Sequence, residues 1–245
     1  MAKNKKAIAM TEIKTKKDNN QLIVQSNEVT EAAYHLSIKA KRVLWLCLAQ
    51  AYQSDSAKEG TFFISVHDYQ HYFEVGKVTA SKDVKLGVDE LLRNYVTFYP
   101  TSGDYEEISR PWLLEQARKV ERGIFKLEFN PRLVPYVTGL SEKFTQFYLQ
   151  HCGKLNNSRT IRLYESLCQW RNTGVWRVDV AWLIERYDLP ATQAANYAEL
   201  KRKFLIPAVA RINDKTPINV TFKEITGVGN KVTAILFNMT DSAAS

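Results

Sequence analysis

Apolar positions along this chain switch between helical and strand spacing, and the switches come twice in the same order. In residues 30–52, TEAAYHLSIKAKRVLWLCLAQAY, the residues Val43, Leu44, Cys47, Leu48 and Ala51 share one face, which predicts a long amphipathic helix. SDSAKEG reads as a loop, TFFISV as a short strand and HDYQHYFEV as a short helix. TASKDVKLGVDELLRNY predicts a second helix with Val84, Val88, Leu91 and Leu92 inward. VTFY, WLLEQARKV and IFKLEFN predict strands, the last two joined through ERG as a hairpin. The first 20 residues are polar, Lys-rich and without period, which predicts a disordered arm.

Around LSEKFTQFYLQHCGKLNNS the pattern resets. TIRLYESLCQW predicts a helix, VWRVDV a strand and AWLIERYDL a short helix. YAELKRKFLIPAVARIN predicts a long helix whose Leu200, Phe204, Leu205, Ala208, Val209 and Ile212 face a core, with a kink at Pro207 beyond the basic cluster. INVTFKEI and KVTAILF, joined by the Gly-rich TGVGN, predict a hairpin with Val220, Phe222, Ile235 and Phe237 on its apolar faces. Val66, Tyr69, Phe73 and Val75 have the spacing of Val180, Leu183, Tyr187 and Leu189, each pair 114 positions apart. Four such matches could arise between any two amphipathic helices. With the matching order of elements they predict an internal duplication.

Helix, strand, helix, helix and two-stranded wing is the order of a winged helix, a helix-turn-helix with a β-hairpin beside it. The sequence therefore predicts an α+β protein of two tandem winged-helix domains. In such a domain the last helix packs its inner face on the core and can lay its outer face in the DNA major groove. Lys201, Arg202 and Lys203 stand near the start of the second such helix. They read equally well as nucleic-acid contacts or as a solvated face, because Lys and Arg are good helix formers with or without a ligand.

Charge sharpens this picture only modestly. The 245 residues carry a net +8, with a sequence pI of about 9.3. That favours an acidic partner, nucleic acid first, although an excess of Lys can also serve solubility alone. Residues 1–20 contribute +4, residues 21–148 contribute −1 and residues 149–245 contribute +5. No apolar run reaches membrane-spanning length, and the basic start has no signal-peptide core, so a cytoplasmic protein is expected. Cys47, Cys152 and Cys168 are expected to act as small hydrophobes in a reducing compartment.

Catalytic patterns are absent. No Walker-type phosphate loop, nucleophile elbow or paired-cysteine motif occurs, and the acidic residues form no cluster suited to magnesium. His67 and His71 in HDYQH have a zinc-compatible spacing but no evident third ligand, so neither a metal nor a cofactor is expected. A rolling-circle nicking enzyme would need a close histidine pair flanked by apolar residues, which is missing. Trp170, Trp176 and Trp182 could stack on single strands, but their places within amphipathic elements favour packing.

IVQSNEVTEAAYHLS, KFTQFYL, RLYESLCQW, WLIERYDLP and INDKTP together resemble the plasmid replication initiators of the Rep_3 group, in order, from about Leu22 to Phe237. The resemblance implies a non-enzymatic initiator that binds repeated origin sites, called iterons, as a monomer. It also implies a homodimer that binds an operator inverted repeat and represses its own gene. Host partners would be a DnaA-type initiator, the replicative helicase and chaperones. It does not cover the basic arm expected over residues 1–20, and it implies a dimerising winged helix over 21–148 and the main sequence-specific winged helix over 149–245. Lys201, Arg202 and Lys203 would be the principal DNA contacts, with Tyr197 and the wing's Lys231 beside them. Lys201 and Lys203 stand where relatives carry arginines, and Lys lacks the bidentate fork that reads guanine. Ser81, Lys82 and Lys85 would be the contacts of the first domain. The alternative is a transcriptional repressor with no part in replication.

Overall fold

A computed structural model of the chain describes residues 21–51, 55–119, 123–138 and 143–241; the amino-terminal arm lies outside them. The first repeat begins with β1 (Leu22–Ser26), α1 (Asn27–Glu31), α2 (Ile38–Gln50) and α3 (Asp55–Lys58). Next come β2 (Thr61–Ser65), α4 (Val66–Phe73) and α5 (Lys77–Arg93). The short pair β3 (Tyr95–Phe98) and β4 (Ile108–Pro111) precedes the wing, β5 (Leu113–Arg118) and β6 (Ile124–Phe129), and α6 (Val134–Val137) ends the repeat.

The expected long helix over 30–52 begins only at Ile38. Ser37 caps it by accepting from the Ala40 N–H, one of the donors that a helix start leaves unpaired. Upstream, Ala33 exchanges two backbone hydrogen bonds with Thr97, at 2.8 and 2.9 Å, so tertiary pairing holds that stretch extended. SDSAKEG, expected as a loop, contains the single turn α3.

The second repeat runs β7 (Phe144–Tyr148), α7 (Leu149–Cys152), α8 (Ser158–Gln169), β8 (Val175–Asp179), α9 (Val180–Arg186) and α10 (Ala191–Ala195). The long helix follows in three pieces: α11 (Tyr197–Leu200), a π-helical turn (Lys201–Leu205) and α12 (Ile206–Lys215). The wing is β9 (Ile218–Thr226) and β10 (Val232–Asp241), antiparallel around a tight Gly-rich tip.

The two wings each close a separate three-stranded sheet of the same order. The strand orders are β2-β6-β5 and β8-β10-β9, antiparallel throughout. The backbone repeats more tightly than the side chains do. Gly60 and Gly174 take φ of 87° and 71° just before β2 and β8, where an L side chain would be strained. Glu74 and Asp188 take φ of 51° and 47° just beyond α4 and α9. Both pairs lie 114 positions apart, the spacing of the apolar pairs. Arg42 on α2 sits 4.7 Å over the Phe73 ring, and Arg162 on α8 sits 5.3 Å over the Tyr187 ring, in corresponding places. The internal duplication is thus written into turns as well as core positions.

The repeats meet about a local two-fold arrangement that the apolar pattern did not predict. β1 and β7 pair antiparallel, Leu22 opposite Tyr148 and Ser26 opposite Phe144. The flanking bonds mirror each other: Asn27 donates to the Lys143 carbonyl at 3.0 Å and Leu149 to the Gln21 carbonyl at 2.9 Å. Beneath this ribbon lies a buried polar cluster. Lys41 on α2 is 2.8 Å from Glu165 on α8, with side chains 1% and 0% exposed. Trp45 Nε1 donates to the same carboxylate at 3.1 Å, and Lys41 donates to the Tyr34 hydroxyl at 2.7 Å. Arg162 donates to the Ala32 carbonyl at 2.6 Å with its guanidinium 3.8 Å from the Tyr34 ring centroid. A buried charge is costly unless paired and hydrogen-bonded; Lys41 and Glu165 meet both conditions, while Arg162 lies 4.0 Å from Glu165 and keeps its Nε without a hydrogen-bond partner.

Candidate nucleic-acid interface

The two candidate recognition helices are α5 and the composite helix α11 to α12. Aligned on their buried positions, Ala80 corresponds to Leu200 and Val84 to Phe204, 120 positions apart, whereas Gly87 corresponds to Ala208, Val88 to Val209 and Leu91 to Ile212, 121 apart. One residue has been inserted in the second helix, and the π-helical turn over Lys201–Leu205 absorbs it, with Ile206 donating back to the Lys201 carbonyl. This corrects the expectation of a kink at Pro207. Pro207 lies just past this turn, in a helix whose backbone stays right-handed helical through Leu200, Lys201, Leu205 and Ile206, so it removes one backbone donor there, while the irregularity falls across the basic cluster itself.

In this alignment Ser81 and Lys82 correspond to Lys201 and Arg202. All of them lie on the outward side of their helices, and Lys85 is exposed one turn further on. Gly76 starts α5 without a side-chain cap, and Val78, in its first turn, is 85% exposed. Asn196 starts α11 with a proper cap, its side chain accepting from the Ala198 N–H at 2.9 Å. The structure therefore brings Lys201, Arg202, Lys203 and Tyr197 together and places Ser81, Lys82 and Lys85 on the matching helix of the other repeat. Lys231 is exposed beside the tip of the second wing, next to a fully exposed Val228.

Two carboxylates also stand in the basic cluster, and neither was singled out in the sequence. Glu199 receives Arg202 at 2.9 and 3.1 Å and Lys203 at 2.5 Å. Glu224, on β9, receives Lys201 at 2.7 Å and the Tyr197 hydroxyl at 2.9 Å. Hydrogen bonds from Lys203 and then Arg202 hold the Glu199 carboxyl below its ordinary range, and Lys201 does the same for Glu224. Burial, and then the bond to Glu224, push the Tyr197 hydroxyl up. The start of the helix is thus tied to the wing through one carboxylate. The spacing of Glu199 to Arg202 and Lys203, three and four positions on, was a readable helical ion-pair signal. The Glu224 contact depends on the wing's fold and had no local signal.

The other candidates resolve as structure. Trp176 stacks on Phe237 at 5.5 Å within the core of the second repeat, and Trp182, partly buried, packs edge-on against Trp176 and Tyr187. Trp170 is instead exposed, at 36%, so the packing expected of all three tryptophans holds for the other two alone. Cys47, Cys152 and Cys168 are buried free thiols, and burial raises the pKa of each, Cys168 to about 12. His67 and His71 lie on α4, and among the described residues no group of three or more His, Cys, Asp or Glu is placed to hold a metal ion. Among the same residues no helix is long and apolar enough to cross a membrane.

Two winged helices with matching outward helices define the class: a tandem winged-helix protein. The chain belongs to the Rep3 family of initiator replication proteins. The family model "Initiator Replication protein, WH1" matches residues 22–168, and "Initiator Rep protein, WH2" matches residues 179–239. An Escherichia coli protein described as "Uncharacterized 27.6 kDa protein" is 50% identical over 206 residues, covering 80% of this chain and 86% of that one. A second Escherichia coli protein, "Uncharacterized 6.6 kDa protein", is 52% identical over 54 residues, 22% of this chain and 95% of that one. Among solved structures, the Pi initiator protein in complex with iteron DNA superposes with a TM-score of 0.75 at 21% identity, covering 93% of this chain and all of that one. The resemblance to the Rep_3 plasmid initiators and the expected pair of winged-helix domains are both borne out.

Proposed function

We propose that this protein starts plasmid replication by binding iterons in the origin as a monomer, through the outward faces of α5 and α11 to α12, without catalysing a covalent step. The observation that carries the reading is the cation-bearing π-helical turn near the start of the C-terminal helix, tied to the wing in a chain of this family. The Pi initiator, similar in fold, has been solved with iteron DNA. The C-terminal winged-helix domain, over residues 149–245, supplies most of the sequence-specific affinity, and the N-terminal domain, over 21–148, supplies positioning and dimerisation. The dimer binds an operator inverted repeat and represses the initiator's gene. The expected site is the cytoplasm, with a DnaA-type initiator, the helicase and chaperones as partners.

Dimerisation through the first repeat has support in β5. It is an edge strand of the sheet β2-β6-β5, and its Leu114 is 58% exposed. Leu114→Lys or Leu114→Glu in a folded protein is expected to shift sedimentation toward monomer and to weaken operator binding more than iteron binding. Footprinting on the parent plasmid's origin tests the whole reading. Repeated protected sites in an AT-rich segment are expected, and supercoiled origin DNA incubated with protein and magnesium should stay unnicked. Protection of an operator alone would turn the reading to a repressor, and nicking would turn it to an enzyme.

A further inference from the structure

Every cation of the basic cluster is already occupied in the free protein. Lys201 is held by Glu224, and Arg202 and Lys203 are held by Glu199, at 2.5 to 2.9 Å. A surface meant only to attract phosphate would gain from having no carboxylate there. The anionic side chains lower the cluster's net charge and lie within a Debye length of any bound backbone. Their placement is specific as well. Glu199 is in the first turn of a helix whose N-terminal residues would meet base edges, in a winged helix that docks as helix-turn-helix domains do. Glu224 projects from the wing onto the same turn.

A carboxylate can only accept hydrogen bonds. In the major groove the donors that can satisfy it are amino groups, N4 of cytosine and N6 of adenine. When Arg202 or Lys203 leaves Glu199 for a phosphate or a guanine, the carboxylate faces either such an amino group or nothing but negative potential. The second case is unfavourable on every duplex that lacks the amino group at that position.

We propose that Glu199 is a specificity-determining residue, which releases Arg202 and Lys203 to DNA at low cost only where the opposing base edge offers an amino donor. Glu224 acts on Lys201 in support, and by anchoring Tyr197 it keeps the turn at a fixed distance from the wing. The inference rests on the reading that this helix meets DNA.

The test compares the full chain with Glu199→Gln and Glu199→Asp, after circular dichroism and thermal melts establish that each is folded. Two probes are used: a duplex selected by the unmodified protein from a randomised pool, and a scrambled duplex of equal length. Glu199→Gln is expected to bind the scrambled duplex more tightly and to lose roughly tenfold in the ratio between the two, about the discrimination of one base pair. Glu199→Asp should keep part of the ratio. Replacing the selected adenine by purine, or the selected cytosine by its analogue without the N4 amino group, should weaken the unmodified protein and leave a folded Glu199→Met protein, which keeps no acceptor at that position, unaffected. An unchanged ratio with Glu199→Gln, or equal sensitivity of both proteins to the missing amino group, overturns the inference. The underlying reading fails separately. If the triple variant Lys201→Ala, Arg202→Ala, Lys203→Ala binds both duplexes as the unmodified protein does, this helix does not meet DNA at all.

Discussion

The two outward helices share a scaffold and differ in how they carry charge. α5 is regular over 17 residues, and among the described residues Ser81, Lys82 and Lys85 have no ion-pair partner on its outer face. The second helix is broken by the π-helical turn, and all three of its adjacent cations are paired. The lesson is that a duplicated frame can be specialised by one inserted residue and a few carboxylates, with the core untouched. The inner faces still match position for position on both sides of the insertion. Unpaired lysines on a regular helix suit a contact that follows the backbone without reading it. Paired cations on a locally unwound turn suit a contact that must be released selectively.

The largest way to break the comparison is at the seam between the repeats. Glu165→Leu leaves Lys41 buried without its carboxylate, and removing one partner of a buried pair costs about 3–5 kcal/mol. Urea unfolding should show that loss. The double variant Lys41→Met, Glu165→Leu should recover most of it, because an apolar pair of similar volume can replace a buried ion pair. Equal losses in the single and double variants would mean that packing, and not charge, holds the repeats together.

A smaller effect tests whether the helices truly differ in their approach to the core. Gly87 on α5 lies against α2, and a Cβ there would stand 2.7 Å from the Lys39 carbonyl oxygen and 3.0 Å from the Ala40 nitrogen. The corresponding position in the second repeat is already Ala208, which is buried. Gly87→Ala is therefore expected to destabilise by about 1–3 kcal/mol through backbone displacement, while Ala208→Gly should cost only roughly 1 kcal/mol, the usual penalty of glycine within a helix. Thermal melts of both decide it. A neutral Gly87→Ala would mean that the two helix crossings are alike.

Much of this was readable in the sequence, and what was not has a physical reason. The winged-helix order of the main elements in both repeats followed from period alone, because the core faces of α2, α4, α5, α8, α9 and both wings are long enough to show one. The pairs from Val66 and Val180 onward were visible because burial fixes their spacing. β1 and β7 were missed because each is five residues long, and their partners lie more than a hundred positions apart. Ser37 was a legible cap for the helix start at Ile38, whereas the Ala33 and Thr97 pairing that holds the preceding stretch extended has no local signal. The basic triad was seen at once. Its pairing with Glu224 was not, since that contact exists only when the wing folds back on the helix.

DNA binding should separate the helices with comparable energies and different signatures. Arg202→Ala is expected to cost roughly 1–3 kcal/mol on a selected duplex and to flatten preference at one or two base pairs. Lys82→Ala should weaken selected and scrambled duplexes alike and lower the slope of log affinity against log salt by about one. Fluorescence anisotropy titrations across salt concentrations measure both. If Lys82→Ala flattened base preference and Arg202→Ala did not, the roles given to the two repeats would be reversed.

The smallest effect concerns the origin of the π-helical turn. One account makes Pro207 its cause, because proline cannot donate to the carbonyl four residues back. The other makes the core its cause, because Phe204 and Leu205 precede the insertion, Ala208 and Val209 follow it, and all four are buried. A regular helix would rotate one of those pairs by about 100° away from the core, removing a large aromatic or several aliphatic contacts. Returning one N–H by Pro207→Ala recovers about 0.5–1.5 kcal/mol at most. Fully burying even one such side chain is worth about 1.5–3 kcal/mol. The core therefore wins. Pro207→Ala is expected to change unfolding free energy by less than about 1 kcal/mol, near the net value of a single hydrogen bond. Affinity for the selected duplex should stay within about threefold, the equivalent of less than 1 kcal/mol. A larger loss of affinity in a folded Pro207→Ala protein would show that the proline itself sets how Lys201, Arg202 and Lys203 are presented.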